Sequence, residues 1–370
     1  MHLGKKLFDF SLIDDQKYIL DEIVKIAKDV NSDGVIIAGD IYDRNVPPAE
    51  AVEIFDDFLT KLSTSKIPVY IISGNHDSAE RLSFGARIFK DENIYISGVF
   101  NGKPEKITKQ DKWGNVNIYL MPFVKPSNVR VFFENEKIES YDDAIKTIIK
   151  HTEIDTDQRN IIVSHQFITG AQTCESEEIN IGGLDNIDVS AFDKFDYCAL
   201  GHIHGPQKIS RDTVRYCGTP LKYSFSEVHH KKSVTIVELK EKGNVALEFV
   251  PLIPKRNLQE IKGLYNDLTD KEFYSSLNLD DYYHITLTNE DDIPYVIEKL
   301  RTIYPNIMKL DYDNKRTQEM YSNILGERAK EKTPTELFSQ LYKAQNNSDM
   351  NEIQEEYVKR LIDKIWSENN

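Results

Sequence analysis

Six side chains suited to holding cations recur in one setting along the chain. Asp40, Asn75, His76, His165, His202 and His204 each follow a short apolar run and lie in a tight polar turn. The turns read Gly39-Asp40, Gly74-Asn75-His76-Asp77, Ser164-His165 and Gly201-His202-Ile203-His204. Imidazoles together with one carboxylate and one carboxamide suit Mn, Fe or Zn better than Ca or Mg, which favour all-oxygen shells. Six such groups exceed the three or four protein ligands one ion normally takes, so two cations sharing Asp40 is the economical arrangement. Two cations together polarise a phosphate, lower the pKa of a bound water and stabilise charge on the attacking and leaving oxygens. His76 follows Asn75, so alternation turns its ring elsewhere, towards a substrate. There it can donate a proton to the leaving oxygen, with Asp77 orienting the ring. His151, His229, His230 and His284 lack any ligand context and read as ordinary surface or core residues.

The elements that must position these groups are legible nearby. Gly34 to Ala38, Val69 to Ile72, Ile161 to Val163 and Tyr197 to Leu200 read as buried strands, each ending at one of the turns. In open α/β sheets a site collects beyond the carboxyl ends of the strands. Between them, Leu20, Ile23, Val24, Ala27 and Val30 share one helix face, as do Val52, Phe55, Leu59 and Leu62 behind Pro47-Pro48. Val214 to Tyr216, Ser233 to Leu239 and Ala246 to Val250 read as strands of a second, more antiparallel sheet, and Pro251 and Pro254 mark a boundary. Beyond it, Tyr283 to Thr288 is strand-like and Ile293 to Tyr304 helix-like. Residues 313 to 332 are polar and charged, a linker or exposed helix. Thr333-Pro334-Thr335-Glu336 is a capping box that opens a helix carrying Leu337, Phe338, Leu341 and Tyr342. A last helix sets Ile353, Tyr357, Leu361 and Ile365 four residues apart.

Composition bounds the setting. A chain of 370 residues exceeds what one core fills, so two or more domains are expected. Three cysteines argue against a disulfide scaffold and suit a reducing cytoplasm. No run approaches the roughly 20 apolar residues that span a bilayer, and the N-terminus lacks a signal-peptide core, so membrane and secreted readings fall away. The net charge of −15 counts against avid DNA binding by the isolated chain, since phosphate contacts supply most of such affinity. A local basic group (Lys5, Lys6, Arg44, Lys125, Arg130), bound cations or a partner would have to supply the grip.

The four ordered motifs resemble those of calcineurin-like metallophosphoesterases. Phe195 to Gln207, Tyr216 to Glu227, Val250-Pro251-Leu252, Tyr304-Pro305-Asn306 and the Leu337-Phe338 helix narrow the resemblance to the SbcD family of nuclease subunits, over nearly the whole chain. It implies a four-layer αββα sandwich at 1–252, a small α+β capping, DNA-binding domain at 253–320, and a linker with C-terminal helices for an SbcC-type ATPase at 321–370. It further implies two divalent cations, Mn2+ foremost, with Mg2+ as the alternative. Asp40 would bridge them; Asn75, His165 and His202 would complete one shell, His2 and His204 the other, and His76 would be the catalytic histidine. The implied activity is hydrolysis of double-stranded DNA ends and hairpins, as an exonuclease alone and an ATP-dependent endonuclease with the partner. A cytoplasmic, nucleoid-associated homodimer is implied as well, through a helix from Ser78 to Phe89.

One departure stands out. The family opens with a strand ending in Asp-x-His before Leu-Gly-Lys; His2-Leu3-Gly4-Lys5 matches the end, with Met1 at the middle position and no aspartate before it. Either the chain begins downstream of its natural start, or one cation site is short of a carboxylate, and activity should then be poor until the segment is restored. Two alternatives compete with a nuclease: a phosphoesterase acting on small substrates, and a non-catalytic adaptor that tethers DNA.

Overall fold

The computed structural model describes residues 1–177, 186–317, 333–346 and 349–368, in two compact units, Met1–Gln259 and Glu260–Asn370. The first unit opens with a small antiparallel pair, β1 (Lys6–Leu7) and β2 (Phe10–Ser11). Helix α1 (Ile13–Asp29), β3 (Val35–Ala38), α2 (Ala49–Thr64), β4 (Val69–Ile72) and β5 (Ile94–Ser97) follow, the strands forming a parallel sheet in the order β3-β4-β5.

Side-chain alternation along β4 explains its unbroken apolar run. Val69 and Ile71 pack under α1 and α2 with Leu20, Val24, Phe55 and Leu62, whereas Tyr70 and Ile72 point into the gap between two sheets. The second sheet contains β6 (Glu105–Asp111), β7 (Gly114–Met121), β8 (Arg159–His165), β9 (Tyr197–Gly201), β10 (Gln207–Ile209) and β11 (Arg211–Tyr216). Its order is β10-β11-β9-β8-β7-β6, parallel through β7, β8, β9 and β11, with antiparallel edges. Ile118, Leu120, Ile161, Val163 and Tyr197 meet Tyr70 and Ile72 between the sheets, joined by Val237 and Leu247 from the hairpin β12 (Ser233–Leu239) and β13 (Val245–Pro251). The outer face, with Tyr119, Ile162, Cys198 and Leu200, is covered by Ile145 and Ile148 of the helix Tyr141–Lys150. Helix, sheet, sheet and helix make the four layers of a metallophosphoesterase fold.

Three sequence expectations need correction. Val214 to Tyr216 belongs to β11, which pairs parallel to β9 in the large sheet, not in a separate antiparallel one. The reversal at Ser210, in left-handed backbone (φ 61°), folds β11 back from β10 onto β9. The helix expected from Ser78 to Phe89 is two short pieces, Ala79–Leu82 and Ala86–Phe89, interrupted where Gly85 adopts φ 73°. The helix expected over 293–304 is confined to Val296–Arg301, because Pro294 disfavours helical backbone at Ile293 and Tyr295 sits at φ 55°.

The second unit holds a sheet in the order β14 (Leu258–Gly263), β15 (Tyr282–Leu287) and β16 (Ile307–Tyr312), packed through Tyr283, Ile285, Leu287, Leu300, Tyr304 and Ile307. Most of the charged stretch expected at 313–332 lies outside the described residues. The helix Pro334–Asn346 begins with the expected capping box: the Thr333 backbone N–H donates to Glu336 Oε2 at 2.7 Å, and the Glu336 N–H donates to Thr333 Oγ1 at 3.3 Å. A second helix, Glu352–Glu368, contacts it where Gln354 Nε2 donates to Tyr342 Oη at 3.1 Å. No helix among the described residues is long and apolar enough to cross a membrane.

Candidate metal centre

Four strand ends converge at one edge of the sandwich. β3 delivers Asp40, β4 delivers Asn75 and His76, β8 ends in His165, and the turn after β9 carries His202 and His204. The two sheets approach so closely there that glycine is needed. A Cβ on Gly39 would stand 2.4 Å from His165 Nδ1, and one on Gly201 would stand 1.7 Å from the Ala38 carbonyl oxygen. Backbone strain gathers at the same place: His2 (φ 53°), Asp40 (φ 47°) and His202 (φ 96°) all lie in the left-handed region.

Two clusters share one carboxylate. In the first, Asp40 Oδ2 is 3.1 Å from His165 Nε2, while Asn75 Oδ1 is 3.0 Å from both His165 Nε2 and His202 Nδ1. His165 Nδ1 lies 2.7 Å from the Ala38 carbonyl, which accepts its hydrogen bond and leaves the Nε2 lone pair directed inward. In the second, His2 Nε2 lies 3.6 Å from Asp40 Oδ2 and 3.1 Å from His204 Nε2. The His76 ring stands edge-on to His2, centroids 4.8 Å apart, and its backbone N–H donates to Asp40 Oδ1 at 2.9 Å. His2, Asp40, His165 and His204 are each at least nine-tenths buried. All seven residues singled out from the sequence and the resemblance thus lie around Asp40.

The electrostatics fit cations. Burial pushes the pKa of His2 well down, and that of His202 down to about 3 with help from the His165 charge, so both rings present lone pairs. Burial alone would raise Asp40, but the charge and hydrogen bond of His165 hold it well below the usual carboxylate range. Burial works against charge on His165, yet Asp40 outweighs it and raises the His165 pKa, so a cation bound at Nε2 would take the place of that proton. His2 Nδ1 is buried without a hydrogen-bond partner, 3.7 Å from Asp43 Oδ1, which Lys5 holds at 2.9 Å. Clustered imidazoles, a carboxylate and a carboxamide match the donor set of divalent transition metals.

Asp77 does not take the role expected of it. Its carboxylate accepts backbone N–H bonds from Gly74 (2.9 Å), Ile41 (3.1 Å) and Tyr42 (2.9 Å), tying the Asn75 turn to the Asp40 turn. The carbonyl of Asp43, 3.1 Å from His76 Nδ1, supplies the orienting contact. Of the basic residues considered for phosphate contact, Lys5 pairs with Asp43 and Arg130 donates to the Ile138 carbonyl at 2.8 Å. Sequence reasoning also passed over the support behind His2. Gln16 Nε2 donates to the His2 carbonyl at 2.7 Å and to Tyr223 Oη at 3.1 Å, and the Tyr223 ring packs against His2. Ser176, Glu227 and Lys232, behind His204, were missed because isolated polar residues carry no periodic signal.

Comparison with known proteins places the chain in a family. Residues 1–206 match the calcineurin-like phosphoesterase family, and residues 254–346 match a family described as the type 5 capsule protein repressor C-terminal domain. The SbcD component of the nuclease SbcCD from Staphylococcus epidermidis is 33% identical over 368 residues, covering 98% of this chain and 96% of that protein. With the layered fold and the shared carboxylate between two ligand clusters, these matches make the chain a member of the SbcD nuclease-subunit family, built as a metal-dependent phosphodiester hydrolase.

Proposed function

We propose that the chain is the Mn-dependent DNA nuclease subunit of an SbcCD-type complex, acting in the cytoplasm on duplex ends and hairpins in repair and recombination. The observation that carries this reading is the buried Asp40 carboxylate, standing between two clusters of imidazole and carboxamide donors with His76 alongside. Asn75, His165 and His202 would hold one cation and His2 and His204 the other, with the Asp40 carboxylate within reach of both. Bound there, the cations would polarise a DNA phosphate and make hydroxide available near neutrality. The chain's own contribution is geometric and protonic: the strand ends fix the ligands, and His76, oriented by Asp43, protonates the departing 3′ or 5′ oxygen.

The remaining segments take the supporting roles the family suggests. The sheet of β14, β15 and β16 serves as a capping, DNA-binding domain spanning about 253–320. The C-terminal helices carry the ATPase contact: Phe338, Ile353, Tyr357 and Leu361 are exposed, Ile353 by 79%, an apolar stripe suited to docking in a partner's groove. Homodimerisation uses the short helices around Gly85, where Phe84 and Ile88 are 84% and 74% exposed.

Deleting residues 333–370 is expected to abolish co-purification with an SbcC-type ATPase while Mn-dependent exonuclease activity persists. A deletion variant that no longer melts cooperatively would show instead that the helices belong to the fold. The phosphoesterase alternative is separated by substrate: with Mn, linear duplex DNA should be degraded far faster than p-nitrophenyl phosphate, and a chelator should abolish both reactions. Preference for the small ester would reassign the substrate and leave the metal centre intact.

A further inference from the structure

Resting on the two-cation reading above, we infer that Glu227, locked by Lys232, is the positioning residue that fixes His204 and with it one of the two cation sites. Ser176 Oγ donates to Glu227 Oε1 at 2.6 Å, so its oxygen is left to accept from His204 Nδ1, 2.7 Å away. That bond places the imidazole proton on Nδ1 and leaves the Nε2 lone pair facing His2 Nε2. Glu227 Oε1 itself lies 3.4 Å from His204 Nδ1 and accepts the Tyr223 N–H at 3.1 Å.

Lys232 holds the other side. Its ammonium donates to Glu227 Oε2 at 2.5 Å, to Thr219 Oγ1 at 2.8 Å and to the His204 carbonyl at 2.8 Å. One ammonium therefore grips both the backbone of His204 and the carboxylate behind its ring. The Glu227 side chain is 0% exposed and that of Lys232 is 4% exposed. A buried ion pair is seldom more stabilising than apolar packing of the same volume, so fold stability does not account for it. Fixing the orientation and basicity of a metal-binding imidazole does account for it. The two clusters differ here: His165 is held by a backbone carbonyl, whereas His204 depends on a side-chain network that mutation can remove.

Mn2+ titration by calorimetry, with electron paramagnetic resonance of the loaded protein, tests this. Wild type should bind two ions and give the spectrum of a coupled pair. Glu227→Gln should keep one ion at wild-type affinity, bind the second about ten- to a hundredfold more weakly, and give the spectrum of an isolated ion. Because Glu227→Gln leaves Lys232 buried without its counter-charge, Ser176→Ala is the companion variant. It breaks the relay, leaves the ion pair in place, and should weaken the same ion. Wild-type binding of both ions by either folded variant would overturn the inference. Failure of wild type itself to bind two ions would sink the two-cation reading and this inference together, an outcome visible before any substitution is made.

Discussion

Replacing His76 by glutamine is expected to leave both Mn ions bound while lowering duplex DNA hydrolysis by about 10²–10⁴-fold, the usual worth of a general acid. The substitution keeps the backbone N–H that donates to Asp40 Oδ1 at 2.9 Å, so the shared carboxylate stays in place. The ring lies near both His2 and Asp40, close enough for a ligand role to be a real competitor. The two roles separate cleanly. Isothermal titration with Mn alongside cleavage rates should show unchanged stoichiometry with lost turnover; a stoichiometry that falls with the rate would make His76 a ligand.

Asp40→Asn is expected to lower metal binding and rate together. The carboxylate serves both clusters, so its loss should remove high-affinity binding of both ions and depress hydrolysis by on the order of 10³-fold or more, as forfeiting several kcal/mol of charge stabilisation requires. The amide keeps nearly the same volume, so near-wild-type folding is expected by circular dichroism. Retention of two tightly bound ions in a folded Asp40→Asn protein would show that the clusters do not share this residue.

Much of the centre could be read before the fold because every donor except His2, which came only from the family resemblance, follows a strand of a parallel sheet. Such strands are continuous apolar runs, as in Val69 to Ile72, and the polar turn after them stands out by contrast. What sequence left obscure depends on contacts between distant segments. Val214 to Tyr216 reads as a strand, but its place beside β9 is decided by the reversal at Ser210. Ser78 to Phe89 has helical spacing, yet Gly85 interrupts it. Asp77 seemed destined for the neighbouring His76 ring, and instead its oxygens meet three backbone N–H groups. Glu227 ends a stretch that carries the family resemblance, and Lys232 carries no signal of its own; only the packing of Tyr223 and His204 around them makes them a buried pair.

Anomalous diffraction from crystals grown with Mn2+ tests the two-cation centre most directly. Two peaks should flank the Asp40 carboxylate, one within bonding distance of Asn75, His165 and His202, the other of His2 and His204. A lone peak, or manganese located away from Asp40, would contradict it.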